Sequence, residues 1–306
     1  MELAVSTALR DPRLQPFAAT SPFNTSLGDG AIYADDEMAA ALRQRPATLA
    51  SARWSISVVQ ATNADPLCGL TLPWGVWKVR IPTDARPGAG TDNHLSVIQP
   101  DCKTVVETWT MTKVDDTHWT SGYAVLTDLT GSGLVNGARA SGISQMNGLI
   151  RKHEVAALHI PHALSISIDD TQLRAVGPDA QGNYGVWPAR RQDGDAATAY
   201  SGPIPMGSMF AIPSTVNLAA LGLTAEGLAL GRALQDFGTY VLICGANVSL
   251  HADPTAERDL PDAVANMRTD FANVLRPLLL HVTNSAPGTV AGGGARRRPT
   301  APPLAF

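Results

Sequence analysis

The chain has 306 residues, a formal net charge of −4 and only 16% charged residues. A fold of this size buries about three quarters of the surface its unfolded chain would expose, so stability needs neither a metal nor a disulfide. The acidic balance supplies no basic face for nucleic acid, and no run of about 18 apolar residues is present to span a membrane.

Residues 1–20 read as an N-terminal arm. They lack the basic stretch followed by an apolar one that a secretory leader needs, so no signal peptide is expected in this chain. After "SPFNTSLGDG" a short helix is expected from about Asp36 to Arg43, capped by Asp35 or Asp36. From Trp54 to about Ile212, short apolar runs such as "WSISVVQAT", "TVVETWTMTKV" and "HALSISID" alternate with turns. With 27 Gly and 22 Pro, this spacing predicts a mainly β protein with a few helices, a sandwich or barrel of antiparallel strands. One helix is expected to interrupt the strands from about Met146 to Leu158. A second, "LTAEGLALGRALQDFG", starts at Thr224 and stops at Gly238. "TYVLICGANVSLHAD" reads as a strand pair. "DAVANMRTDFANVLRPLLLHV" reads as a helix ending before Pro277, with a last strand near 278–283. The final "NSAPGTVAGGGARRRPTAPPLAF" is low in complexity and is expected to stay extended unless a partner orders it. The expected organisation is therefore an arm over 1–20, one β-sandwich domain with inserted helices over 21–285, and a tail over 286–306. Cys68, Cys102 and Cys244 form no C-x-x-C pair, which excludes a zinc ribbon. Cys68 and Cys102 read either as buried free thiols or as a disulfide.

The densest cluster of chemically active residues is "RKHEVAALHIPHAL", residues 151–164. A helical zinc site of the H-E-x-x-H type needs a second histidine where Ala157 stands. His159 lies about 240° round a helix from His153, and Pro161 stops any helix before His162. No metal and no other cofactor is expected. His162 instead opens a strand on whose face it precedes Leu164, Ile166 and Ile168, either as a hydrogen-bonded core histidine or as a site residue. Glu107 shares a face with Val105, Trp109 and Met111, where a buried carboxylate is costly unless it is paired or lines a wet groove. Asp92 and His94 share a face in "GTDNHLSVIQPD", and "WPARRQDGD" adds Arg190 and Asp193. Each has a plain reading: an ion pair for Glu107, a surface charge for Arg190, a turn for Asp193-Gly194. Together they suit sugar binding, glycosidic hydrolysis or β-elimination. In the catalytic readings Glu107 or Asp193 is the acid or base and His162 or His94 its partner. Arg190 steadies an anionic group, and Asp92 and Trp109 hold substrate.

The order of several motifs resembles a family of extracellular bacterial proteins frequent in actinobacteria. They are "SPFNTSL", "GTDNHLSVIQPD" followed by "VVETW", "ARASGISQMNGLIRKHEVAALHIPHAL", "WPARRQDGD", "IPMGSMFAI" and "RALQDFGTYV", together covering about residues 21–250. The resemblance implies a β-jelly-roll and a carbohydrate substrate. Carried across by position, it picks out Asp92, His94, Glu107, Glu154, His162, Arg190 and Asp193, and leaves out His153 and His159. After the "RALQDFGTYV" block the family tends to carry an Asp at about the place where this chain has Ile243. If that Asp serves chemistry, this protein binds without cleaving.

The expected setting is a virion or the cell exterior. The leading expectation is a phage protein of the minor-tail or tail-tip type that binds, and in one reading cleaves, host cell-surface polysaccharide. Its partners would be the glycan and other virion proteins or copies of itself. One alternative is a secreted-type glycoside hydrolase or polysaccharide lyase. Another is a structural or receptor-binding tail protein without catalysis. A cytoplasmic enzyme fits less well, because "GSGLVNG" (131–137) lacks the strand–turn–helix context of a nucleotide loop.

Overall fold

The computed structural model describes residues 9–305. Strands dominate: seventeen lie in several sheets among the described residues, against six α-helices and 20% helical content. They make two regions that meet along one seam.

The larger region is built on a seven-stranded mixed sheet. Its order is Tyr33–Ala34, Leu280–Val282, Met209–Ala211, Thr239–Cys244, Leu164–Ile168, Val248–His251 and Ala47–Ala50. Leu164–Ile168 is central, parallel to Thr239–Cys244 and antiparallel to Val248–His251. All five of its residues are buried, yet its sequence alternates. Leu164, Ile166 and Ile168 enter a core with Leu230 and Leu234 of the helix Ala225–Asp236 and Val264 and Met267 of the helix Pro261–Asp270. Ser165 and Ser167 take the other face, as the period of two requires. Thr224 caps the first of these helices by accepting from Gly227 N–H, and Asp36 caps the short helix Glu37–Leu42 in the same way.

The smaller region, residues 57–128, has two four-stranded sheets. One runs Tyr123–Asp128, Thr104–Trp109, Leu95–Ile98, Ser57–Gln60; the other Gly75–Arg80, Leu67–Leu72, His118–Thr120, Thr112–Lys113. Leu70, Val79 and Trp119 from one and Leu95, Val97 and Val106 from the other share a single core. The expectation of antiparallel pairing throughout does not hold. Ser57–Gln60 runs parallel to Leu95–Ile98, and Leu67–Leu72 parallel to His118–Thr120. A parallel pair needs a long crossover, and the hairpin formed by Leu67–Leu72 and Gly75–Arg80 sits inside the first of these.

The helix expected from Met146 is shorter, Lys152–Ala157. Gly148 has φ +70, and a Cβ there would stand 2.2 Å from Ser165 N, so this stretch lies flat on the central strand. Ile150 then bridges to Ala252.

Both chain ends are docked. The Arg10 guanidinium is buried and donates to the carbonyls of Gln15, Pro16, Phe17 and Pro302. Arg297 donates to Gln235 O and to the Tyr33 hydroxyl, Arg298 pairs with Asp236 at 2.7 Å, and Ala291 is fully buried. Residues 10–20 and 286–305 therefore pack on the body and not as a free arm and an extended tail; the rest of the arm, residues 1–8, lies outside the described residues. All three cysteines are free thiols. Among the described residues no helix is long and apolar enough to cross a membrane.

Candidate functional site

An open cleft of about 540 Å³ lies where the two regions meet. The two-sheet region lines it with Asp92, His94, Trp109 and Tyr123. The loop of residues 138–145 at the seam (the seam loop) adds Arg139, and the loop after Trp187 adds Arg191 and Asp193. Ile243 and Cys244 close it from the end of their strand.

Trp109 and Tyr123 are direct partners on neighbouring antiparallel strands, so they project side by side from one face. The Trp109 indole is 44% exposed and donates from Nε1 to Asp92 Oδ1 at 3.2 Å. Trp74, about half exposed, packs edge-on against Tyr123 with ring centroids 5.8 Å apart. Trp109 and Tyr123 thus line one wall of the cleft, and Trp74 braces Tyr123 from outside its lining.

His94 is held by its Nδ1, which stands 2.6 Å from Gln145 Nε2 and 3.0 Å from Thr108 O. The Gln145 amide is itself oriented, donating to Thr108 O at 2.9 Å and accepting from the Ser96 hydroxyl at 3.1 Å. His94 Nδ1 thus stands between a donor, the second Gln145 N–H, and an acceptor, Thr108 O, and the two contacts fix the orientation of the ring. Burial first, then the charge of Arg139, depresses the His94 pKa against the opposing pull of Thr108 and Asp92, which favours the neutral imidazole.

Glu107 shares the face of Trp109 but does not reach the cleft, because residues 138–145 fold over it. It is fully buried, accepting from Ala138 N–H at 3.0 Å, Gln145 N–H at 2.9 Å and the Ser144 hydroxyl. Burial raises its pKa despite these bonds. It clamps the seam loop to the two-sheet region.

Arg139, in that loop, is only 4% exposed. Burial lowers its pKa to about 10, with Glu107 pulling the other way, so it keeps its charge at neutral pH. Sequence reasoning passed it over. The available signal was a lone cation among small residues in "GARASG".

The loop carrying Arg191 and Asp193 is pinned by Arg190 N–H and Arg191 N–H to Ser141 O, at 2.9 and 3.1 Å. The Arg190 side chain turns to Asn183 and lines a neighbouring depression, so the arginine that enters the cleft is Arg191. Arg191 donates to Gly137 O at 2.7 Å and to the Tyr123 hydroxyl at 3.2 Å. Asp193 accepts from the Tyr200 hydroxyl. Burial raises the Asp193 pKa, and the charges of Asp195 and Asp92 raise it further. Cys244 beside it is pushed up to about 12 by burial and by Asp193, which leaves an inert thiol.

His162 lies outside the cleft. It is buried with Nε2 3.0 Å from Glu154 Oε1 and Nδ1 2.9 Å from Ala163 O. Burial opposes its charge, but Glu154 and Ala163 outweigh that and leave its pKa raised. Of the residues selected from sequence, Asp92, His94, Trp109 and Asp193 converge. Glu107 lies beneath them, while Arg190 and His162 point elsewhere.

A larger cavity, about 640 Å³, lies under residues 298–302, but its Asp236 and Arg298 are paired with each other. Among the described residues no group of three or more His, Cys, Asp or Glu could hold a metal ion. No protein-family model, curated protein or solved structure matches the chain; the cleft's own chemistry is what there is to read.

Proposed function

We propose that the cleft binds a segment of cell-surface polysaccharide and hydrolyses it. The observation that carries this reading is the pair Trp109 and Tyr123 lining the cleft beside two carboxylates, Asp92 and Asp193, with Trp74 braced against Tyr123. Aromatic faces take the apolar faces of successive sugar rings, and a row of them suits a polymer better than a single sugar. Asp193, half-buried with a raised pKa, suits the general acid that protonates the glycosidic oxygen. Asp92 then serves as the base that activates water or as the nucleophile. The proposed setting is the cell exterior, to which the motif resemblance points, with a virion as one route there.

The test combines binding and product release on wall polysaccharides. Trp109→Ala should weaken binding by about tenfold, the value of losing part of one aromatic face. Asp193→Asn and Asp92→Asn should bind and release no reducing ends. Binding without product in the wild type would remove the catalytic half of the reading, as the Ile243 position suggests for a protein that only binds. No binding to any wall glycan would remove all of it.

A further inference from the structure

Arg139 is a buried cation without a matching anion. Its nearest acidic neighbour, Glu107, attracts it through space but has its oxygens engaged by Ala138, Ser144 and Gln145. Nη2 reaches Gln145 O and Ser165 Oγ only at 3.4 Å each, the weak end of hydrogen bonding. Nε is enclosed with no partner at all. Among the described residues Nη1 has no protein acceptor either, and Arg139 lines the cleft. A buried charge in this state is costly unless something supplies the missing acceptor.

The surroundings supply none. His251 is buried, and burial first, then the charges of Arg139 and His94, hold its pKa well below the usual value. It is neutral and gives no counter-charge. Arg191 reaches over the same cleft from the rim, donating to Gly137 O and the Tyr123 hydroxyl. Arg139 is the cationic side chain of this cleft whose own N–H groups go largely unanswered.

We infer that the floor of the cleft is a subsite for the carboxylate of an acidic sugar, so that the glycan it takes carries uronic-acid residues. The subsite rests on the polysaccharide reading and narrows it. Arg139 meets the carboxylate from the floor and Arg191 closes from the rim, with the His94 ring between them and the aromatic wall.

The test titrates the wild-type protein calorimetrically with a soluble polyuronate and with the same polymer after reduction of its carboxyls to alcohols. The polyuronate should bind at least about tenfold more tightly, the size of one charged hydrogen bond. That advantage should shrink as salt is raised. Arg139→Gln should remove most of it and Arg191→Gln part of it, so that each variant binds the two polymers more nearly alike. Should Arg139→Gln fail to fold, the two-polymer comparison and the exposed Arg191 variant still decide. Equal binding of the two polymers overturns the subsite and leaves the polysaccharide reading standing. So does a preference for a glycerol-phosphate polymer over the polyuronate. Failure of both polymers and of neutral wall glycans overturns subsite and reading together.

Discussion

In the two-sheet region the site is held by strand register. Trp109 and Tyr123 face one way because they are cross-strand partners, and Asp92 is fixed by its bond to that indole. In the helix-backed region the site is held by loops. Arg139, Arg191 and Asp193 lie outside any strand or helix and are placed by buried polar contacts, above all the Glu107 carboxylate and Ser141 O. The register-held wall suits binding a repetitive polymer. The loop-held groups carry the charges that chemistry and selectivity need, where a small shift of backbone re-aims them. Glu107 is the point at which one region fixes the geometry of the other.

The most severe way to test that division is to remove the core of one region alone. Trp119 is almost fully buried in the core shared by the two small sheets. Trp119→Ala should cost about 3–5 kcal/mol. The two cores are separate clusters, so the variant should melt in two steps, with helical circular dichroism surviving the first. Phe271→Ala, in the helix-backed core, should lower the helical step instead. A single transition in both variants would show one cooperative unit and end the comparison. Next in size is the clamp. Glu107→Gln turns an amide N–H₂ toward donors now served by a carboxylate, at about 2–3 kcal/mol. It should loosen the seam loop, weaken glycan binding and leave Trp109 fluorescence unchanged. Unaltered melting would mean that the loop is held without it.

The register-held half of the site was legible in sequence and the loop-held half was not. Trp109 sits in a strand where a period of two says which residues share a face; Asp92 and His94 precede the strand Leu95–Ile98, and Asn93 between them has φ +43, so a bend and not alternation brings them together. "LSISI" announced its two faces in the same way, although not that both would be buried. In "ARRQDGD" no period says whether Arg190 or Arg191 points inward; the bonds to Ser141 and Asn183 decide it. Glu107 was placed on the correct face, but what covers that face is a loop some 30 residues further on. Parallel pairing of Ser57–Gln60 with Leu95–Ile98 escaped because local pattern does not name a partner strand. The C-terminal segment read as free because its docking relies on main-chain hydrogen bonds, with arginine side chains adding bonds to carbonyls, and neither leaves a hydrophobic pattern.

His162 tests the boundary of the site from the helix-backed side. Its pair with Glu154 ties the helix Lys152–Ala157 to the start of the central strand. Its folded pKa is raised above the ordinary 6.5, so the stability it contributes is fully present below 6.5 and is lost as pH rises through the folded value. His162→Asn should cost about 1–2 kcal/mol near pH ~5.5. The gap in Tm from the wild type should narrow towards pH ~8.5. Glycan binding should be unchanged throughout. Lost binding with an unchanged Tm would return His162 to the site.

The smallest effect is expected at the docked C-terminus. Arg298 pairs with Asp236 at 2.7 Å, but its side chain is 54% exposed, and exposed pairs contribute less than about 1 kcal/mol. The segment is held chiefly by other bonds: Gly28 N–H to Ala291 O at 3.0 Å, Asp29 N–H to Ala295 O at 2.9 Å and Arg297 N–H to Leu27 O at 3.0 Å, with Ala291 buried beneath. Arg298→Ala should therefore leave Tm, glycan binding and the rate of proteolysis after residue 298 nearly unchanged. Rapid cleavage there would show that one ion pair, and not the distributed main-chain bonds, keeps the strap in place. It would also make the strap as dependent on a single side chain as the seam loop is on Glu107.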